Sequence, residues 1–291
     1  MKITVFTATH NRADTLPRLY DSLKKQRYKA FEWLIVDDGS SDNTETVVKK
    51  FLQQKPSFPI VFIKQAHGGK HRAINRGLEY ATGELFFLVD SDDHITENAL
   101  ETIIKWTDVI PDRAKCAGLN GLMVNTQGKA IGTKLKKDHY FMSYCEMIKS
   151  GITGDRATIL FTSLFSKYRY PEFEGEWHIA PSVPFVRMAR DGYKLLLFNE
   201  VVYVAEYLED GLTKMGDRKI LENFRGYTLR TRELLEQDIG LRRSIELIGK
   251  YTYLARQLGL SYAEICANLD INKNQALIFG TLARIYNSIQ K

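Results

Sequence analysis

The stretch "LFFLVDSDDH", residues 85–94, runs an apolar segment directly into three carboxylates, Asp90, Asp92 and Asp93. Each carboxylate raises the free energy of ionising its neighbours, so the cluster costs stability unless something positive offsets it. Capping of a helix that begins near Thr96 is the plainer use for Asp92 or Asp93. The strand in front of them favours a different use. A hard divalent ion takes oxygen ligands and keeps waters or substrate phosphates in its shell, so Mg2+ or Mn2+ is the expected partner.

Working outward from that strand, short apolar runs alternate with amphipathic segments. "ITVFTA" (3–8), "EWLIVDD" (32–38), "IVFIKQ" (60–65) and "ELFFLVD" (84–90) read as strands. Between them, residues 12–26, 42–54 and 70–82 carry apolar residues at helical spacing, with Leu16, Leu19 and Leu23 on one face of the first. This alternation predicts a mostly parallel central sheet flanked by helices. Ligands in such sheets bind at the carboxyl ends of the strands. The polar stretches "ATHNR" (8–12), "DDGSSDN" (37–43), "HGGKH" (67–71) and "DSDD" (90–93) all fall there. Further on, a helix is expected over 97–110, a strand over 115–125 and two short strands within 192–206. Residues 133–185 receive no assignment. From about Lys219 the chain reads as a helical extension.

Composition is that of a globular protein, with 44% hydrophobic and 26% charged residues. The formal charge of +6 is unevenly placed: residues 1–110 hold 15 Lys and Arg against 15 Asp and Glu, so the excess lies beyond them. A basic second half suits an anionic partner such as a phosphate, a nucleic acid or a membrane surface. Cys116, Cys145 and Cys266 are odd in number and lack CxxC spacing, which argues against disulfides or zinc. The N-terminal apolar run is too short for a signal peptide, and no run approaches membrane-spanning length. The expectation is a cytoplasmic protein, with peripheral contact at the inner face of a membrane left open.

The loops suggest further chemistry. A carboxylate in "VDDGSSDNT" (36–44) can accept from a nucleobase N–H, although an Asx turn with a helix cap is the simpler reading. "HGGKH" offers backbone and a lysine beside a helix start, a cradle for an anion. Neither a P-loop nor GxGxxG after the first strand is present.

Together the first strand running into "ATHNR", then "VDDGSSDNT", then "GGKHRAINRGLEYATGELFFLVDSDD" (68–93), in this order, resemble glycosyltransferase family 2. The resemblance is strong over residues 1–110 and loose over 111–210. It implies a GT-A fold, with residues 1–110 the nucleotide-sugar-binding half, 111–215 the acceptor-binding half and 216–291 a C-terminal helical region. The implied reaction is transfer, with inversion, of a sugar from a nucleotide-diphosphate-sugar to a saccharide or lipid-linked acceptor, in bacterial surface polysaccharide synthesis. Carried over, Ala8, Thr9 and Arg12 line the nucleoside pocket and Asp38 pairs with the base, usually uracil, which makes a UDP-sugar the expected donor. Asp90 and Ser91 lie near the ribose and diphosphate, Lys70 meets the diphosphate, and Asp92 is the main metal ligand with Asp93 close by. The family's base belongs to an acidic motif, typically Glu-Asp. In "PEFEGEWHIAP" (171–181) Trp177 takes the place of Asp, making Glu176 the expected base with Glu174 behind it. "EYLEDGLT" (206–213) falls where the family closes its donor site, with Asp210 and Thr213 as further candidates.

Two other classes compete. A nucleotidyltransferase shares the strand-end carboxylates, but expects a Gly-rich loop after the first strand, where "TATHNR" has no Gly. Residues 260–285 resemble a helix-turn-helix, yet a helical hairpin is the commoner structure, so no nucleic-acid partner is expected.

Overall fold

The computed structural model describes residues 1–206 and 215–272, together with 274, 275, 277, 278 and 281. Asp210 and Thr213 lie outside the described residues, as does most of the second helix of the supposed helix-turn-helix.

The first half follows the alternation read from the sequence: β1 (Ile3–Thr9), α1 (Leu16–Lys24), β2 (Phe31–Asp38), α2 (Thr44–Gln53), β3 (Ile60–Gln65), α3 (Lys70–Tyr80) and β4 (Leu85–Leu88). After a short β5 (His94–Ile95) come α4 (Ala99–Thr107), β6 (Cys116–Asn125), β7 (Ala130–Ile131), β8 (His139–Met142), α5 (Tyr144–Lys149) and β9 (Ala157–Phe161). The chain continues through α6 (Thr162–Phe165), α7 (Val183–Arg190) and β10 (Lys194–Ala205), then α8 (Gly216–Glu222), α9 (Phe224–Leu235), α10 (Leu241–Gln257) and α11 (Tyr262–Leu269).

One sheet in the order β3-β2-β1-β4-β9-β6-β10-β5 spans the molecule, with β7 on β6 and β8 on β10. β1 pairs in parallel with both β2 and β4, whereas β9 is antiparallel to β4 and β6. The strands read as unbroken apolar runs because helices cover both faces. Alternate residues supply the two cores: Val5, Ile35 and Phe87 on one side with Leu16, Leu19 and Ile103, and Phe6, Leu34 and Phe86 on the other with Ile74, Leu78 and Phe165.

The two short strands expected within 192–206 are one strand, β10. Its register against β6 shifts between Leu197 (opposite Asn120) and Val201 (opposite Leu122). Phe198, Asn199 and Glu200 thus oppose only Gly121, a bulge that breaks the apolar alternation and looks in sequence like an interruption. β4 is shorter than expected, so Asp90 already belongs to the turn.

The C-terminal helices have a small core of their own around Ile248, Tyr251, Ala255, Ile265 and Leu269. They join the sheet domain through Leu234 and Ile239 against Val186 and Cys145, and through Arg187, whose Nε and Nη2 donate to Glu233 at 2.8–3.1 Å. Among the described residues, no helix is long and apolar enough to cross a membrane, and all three cysteines are free.

Candidate functional site

At the carboxyl edge of β1, β2 and β4 the loops are stitched to one another. Asn11 adopts a left-handed φ of 51°, and its Oδ1 accepts from the backbone N–H of Ser41 (2.8 Å) and Asp42 (3.2 Å). Thr9 is buried, with its hydroxyl lacking a partner among the described residues, and Arg12 donates its backbone N–H to Thr44 Oγ1 at 3.1 Å; Ala8 precedes them at the end of β1.

Asp38 is buried at the end of β2, and its carboxylate is fully engaged. Oδ1 accepts from Gln65 Nε2 (2.7 Å) and Gly68 N (3.0 Å), while Oδ2 accepts from Gly69 N (2.7 Å) and meets His67 Nδ1 at 2.9 Å. A carboxylate offers about four lone-pair directions. The Gly68–Gly69 loop and its neighbours take them all, so in this arrangement Asp38 holds that loop and has none left for a nucleobase. Above it the rings of His10 and His67 pack at 4.4 Å between centroids. That pair forms through folding and left no signal in the sequence.

The loop Asp38 holds is tightly constrained. Gly69 has φ 98°, and a Cβ there would lie 1.8 Å from the Trp177 carbonyl oxygen, so only glycine fits beneath the 171–178 segment. It delivers Lys70 at the first turn of α3, where Nζ pairs with Asp90 Oδ1 at 2.5 Å. Burial works against the Lys70 ammonium, but Asp90, with Asp92 and Asp93 behind it, raises its pKa overall. Burial and then repulsion by Asp90 raise the pKa of Asp92.

Asp90, Asp92 and Asp93 each present an oxygen within 4.8 Å of the other two. Their supports differ. Asp93 Oδ2 accepts from the Tyr203 hydroxyl and Oδ1 from the Glu206 N–H, both at 2.7 Å. Tyr203 Oη in turn accepts from Asp90 N at 2.9 Å. Arg18 binds the Asp92 carbonyl oxygen and the Glu206 carboxylate from behind. Ser91 is buried, and its carbonyl accepts from Thr15 Oγ1 at 2.8 Å. Among the described residues no cationic side chain pairs with Asp92. Three carboxylates at this spacing form an all-oxygen donor set that suits Mg2+ or Mn2+. Asp92 and Asp90 are the members able to turn toward an ion without breaking the Asp93 anchor.

Glu176 is buried, and its position was not legible in sequence. Its Oε1 accepts from Arg225 N (2.7 Å) and Oε2 from Gly226 N (2.9 Å), the second and third residues of α9. Those are the N–H groups an N-cap side chain normally takes. Asn223, at the N-cap position, instead sends Oδ1 to Trp177 N (2.7 Å) and His178 N (2.8 Å). The two side chains have exchanged partners, a clasp between the 171–178 segment and the C-terminal helices. A negative charge at a helix N-terminus is favourable in its own right. Glu174, beside it, is exposed. His71 is buried with both ring nitrogens lacking a hydrogen-bond partner, and burial pushes its pKa to about 4. Burial, then the charge of Lys219, does the same to His178.

The sheet order and strand-end crevice are those of a GT-A fold. The chain matches glycosyl transferase family 2 over residues 4–159. It belongs to that family. It is 37% identical over 105 residues to an uncharacterized glycosyltransferase of Nostoc sp., a match covering 36% of this chain and 32% of that protein. TarS of Staphylococcus aureus, a poly(ribitol-phosphate) beta-N-acetylglucosaminyltransferase, is 33% identical over 110 residues, 37% of this chain and 19% of its own. The structure of TarS 1–349 in complex with UDP-GlcNAc superposes with a TM-score of 0.59 at 20% identity, over 88% of this chain and 73% of that one. Mannosyltransferase PcManGT from Pyrobaculum calidifontis, in complex with GDP-Man and Mn2+, gives 0.59 at 17% identity, over 98% and 80%.

The acidic cluster has a consequence for stability. Burial and the neighbouring Asp90 push the Asp93 carboxyl up to about 8, from an ordinary value of 3.8. Between those values the folded protein holds a proton that the unfolded chain has lost, so stability falls as pH rises through the window. His71 and His178, lowered to about 4, act in the opposite sense below about pH 6.5. The range from pH 6.5 to 8 therefore reports on the acidic cluster, in which Asp92 is raised as well and Asp93 is the group raised to about 8. Thermal melts of metal-free protein should show Tm declining across that range, and Asp93→Asn should flatten the decline. An equal slope in the variant would show that the decline does not depend on Asp93.

Proposed function

We propose that the protein is an inverting, metal-assisted glycosyltransferase that moves a sugar from a nucleotide-diphosphate-sugar, a UDP-sugar by preference, to an acceptor hydroxyl. The observation that carries this reading is the acidic triad at the carboxyl ends of the neighbouring strands β1, β2 and β4. Family membership supports it, as do the nucleotide-sugar complexes of the two structural neighbours. In transfer, the bond from the anomeric carbon to the diphosphate breaks as the acceptor oxygen attacks from the opposite face. A bound Mg2+ or Mn2+ would neutralise the charge that builds on the departing diphosphate. Asp92 and Asp90 would hold that ion, Lys70 would add a positive charge at the phosphates, and Ser91, Ala8, Thr9 and Arg12 would border the nucleoside. Base recognition by Asp38 requires release of one of its loop bonds; the His10–His67 pair offers a ring surface to the base without any such release. A saccharide or lipid-linked acceptor, a cytoplasmic location and a part in surface polysaccharide synthesis follow from the same reading.

The test for the ion is Asp92→Ala. Wild-type protein should be stabilised by UDP with Mn2+ beyond the effect of UDP alone, and the variant should lose that increment. It should still fold, because a repelling carboxylate has been removed. Full metal-dependent stabilisation in the variant would take Asp92 out of the site.

The proton of the acceptor hydroxyl also needs a base. Glu176 is the candidate, although its present geometry is that of a helix cap, with both oxygens accepting from α9. Glu176→Gln separates the two roles. As a base its loss costs about 10²- to 10⁴-fold in transfer with folding intact. As a cap its loss lowers Tm while transfer by the folded fraction persists.

A further inference from the structure

We infer that Lys70 is a resident cation of the acidic triad, so that divalent metal and nucleotide diphosphate bind in a coupled fashion through its movement. This rests on the reading of Asp90 and Asp92 as metal ligands.

With Asp93 tied to Tyr203 and Glu206, an ion has Asp92 and Asp90 to use. Asp90 is already paired with Lys70 at 2.5 Å. An ammonium and a divalent ion on one carboxylate repel each other at close range, so Lys70 opposes metal entering the nucleotide-free protein and is driven off Asp90 as the ion binds. The displaced ammonium then needs another anion, and no carboxylate outside the triad is paired with it among the described residues. A diphosphate supplies that anion. Lys70 is free to make the exchange: its side chain is 37% exposed on a long flexible stem, while its backbone is fixed by Gly69 beneath the Trp177 carbonyl and by the first turn of α3. The nucleotide therefore frees Asp90 for the ion, and the ion in turn frees Lys70 for the nucleotide. By linkage the two enhancements are equal.

The experiment is titration of the protein with Mn2+ alone, and again in saturating UDP, followed by calorimetry or by the electron-spin signal of free Mn2+. Wild type should bind Mn2+ weakly alone and at least about ten-fold more tightly with UDP, within the usual range of such couplings. Lys70→Met removes the charge at similar length. It should bind Mn2+ alone about ten-fold more tightly than wild type and show a much smaller UDP enhancement, while Lys70→Arg should keep the wild-type pattern. Lys70→Gln repeats the test should the Met variant fold poorly. If the Met and Gln variants bind Mn2+ alone as wild type does, or more weakly, Lys70 is not the competitor and the inference fails while the metal site stands. Failure of every form to bind Mn2+, with or without UDP, would overturn the metal site itself and the inference with it.

Discussion

Mutual repulsion among Asp90, Asp92 and Asp93, crowded within 4.8 Å at the end of a buried strand, is the constraint around which the neighbouring groups are arranged. Lys70 counters Asp90 and Arg18 braces the Asp92 backbone, while Tyr203 and the Glu206 N–H hold Asp93. These come from α3, α1, the end of β10 and the residue that follows it, so the cluster ties both halves of the sheet together. Coulomb repulsion at such separations is modest in water and grows as solvent is excluded. That growth makes the cluster costly to keep empty and well suited to a cation brought in by a diphosphate.

A second constraint acts from the 171–178 segment. The 171–178 segment crosses Gly69 closely enough to exclude any side chain there, and the exchanged contacts of Glu176 and Asn223 hold it to α9. The C-terminal helices are thus structurally continuous with the crevice. They fix the height of the segment over Gly69 by two pairs of hydrogen bonds, of which the one from Gly226 N–H to Glu176 is buried and so costly to leave unmade.

The sequence made the first half of the fold legible because local signals agree there. Apolar strands, amphipathic helices and Gly or Asx turns follow one another at short range, and "LFFLVDSDD" marks both the strand and its acidic end. β10 was misread as two strands because the bulge at Phe198–Glu200 disrupts alternation without ending the pairing. The triad and Lys70 were legible as a cluster, since strand ends converge by topology. The partners of Asp38 were not: Gly68 and Gly69 are 30 and 31 residues away, and nothing in "DDGSSDN" says where the carboxylate turns. Glu176 and Asn223 bind each other's segments across 47 residues, an exchange that only tertiary packing specifies.

A crystal of the protein grown with UDP and Mn2+, with data collected for the anomalous signal of manganese, tests the central claim most directly. The account predicts a single strong peak in bonding range of Asp92 and Asp90, bridging to the diphosphate, with the Lys70 ammonium moved from Asp90 onto a phosphate oxygen. A peak placed away from these carboxylates, or UDP bound with Lys70 still on Asp90 and no ion beside it, would contradict it.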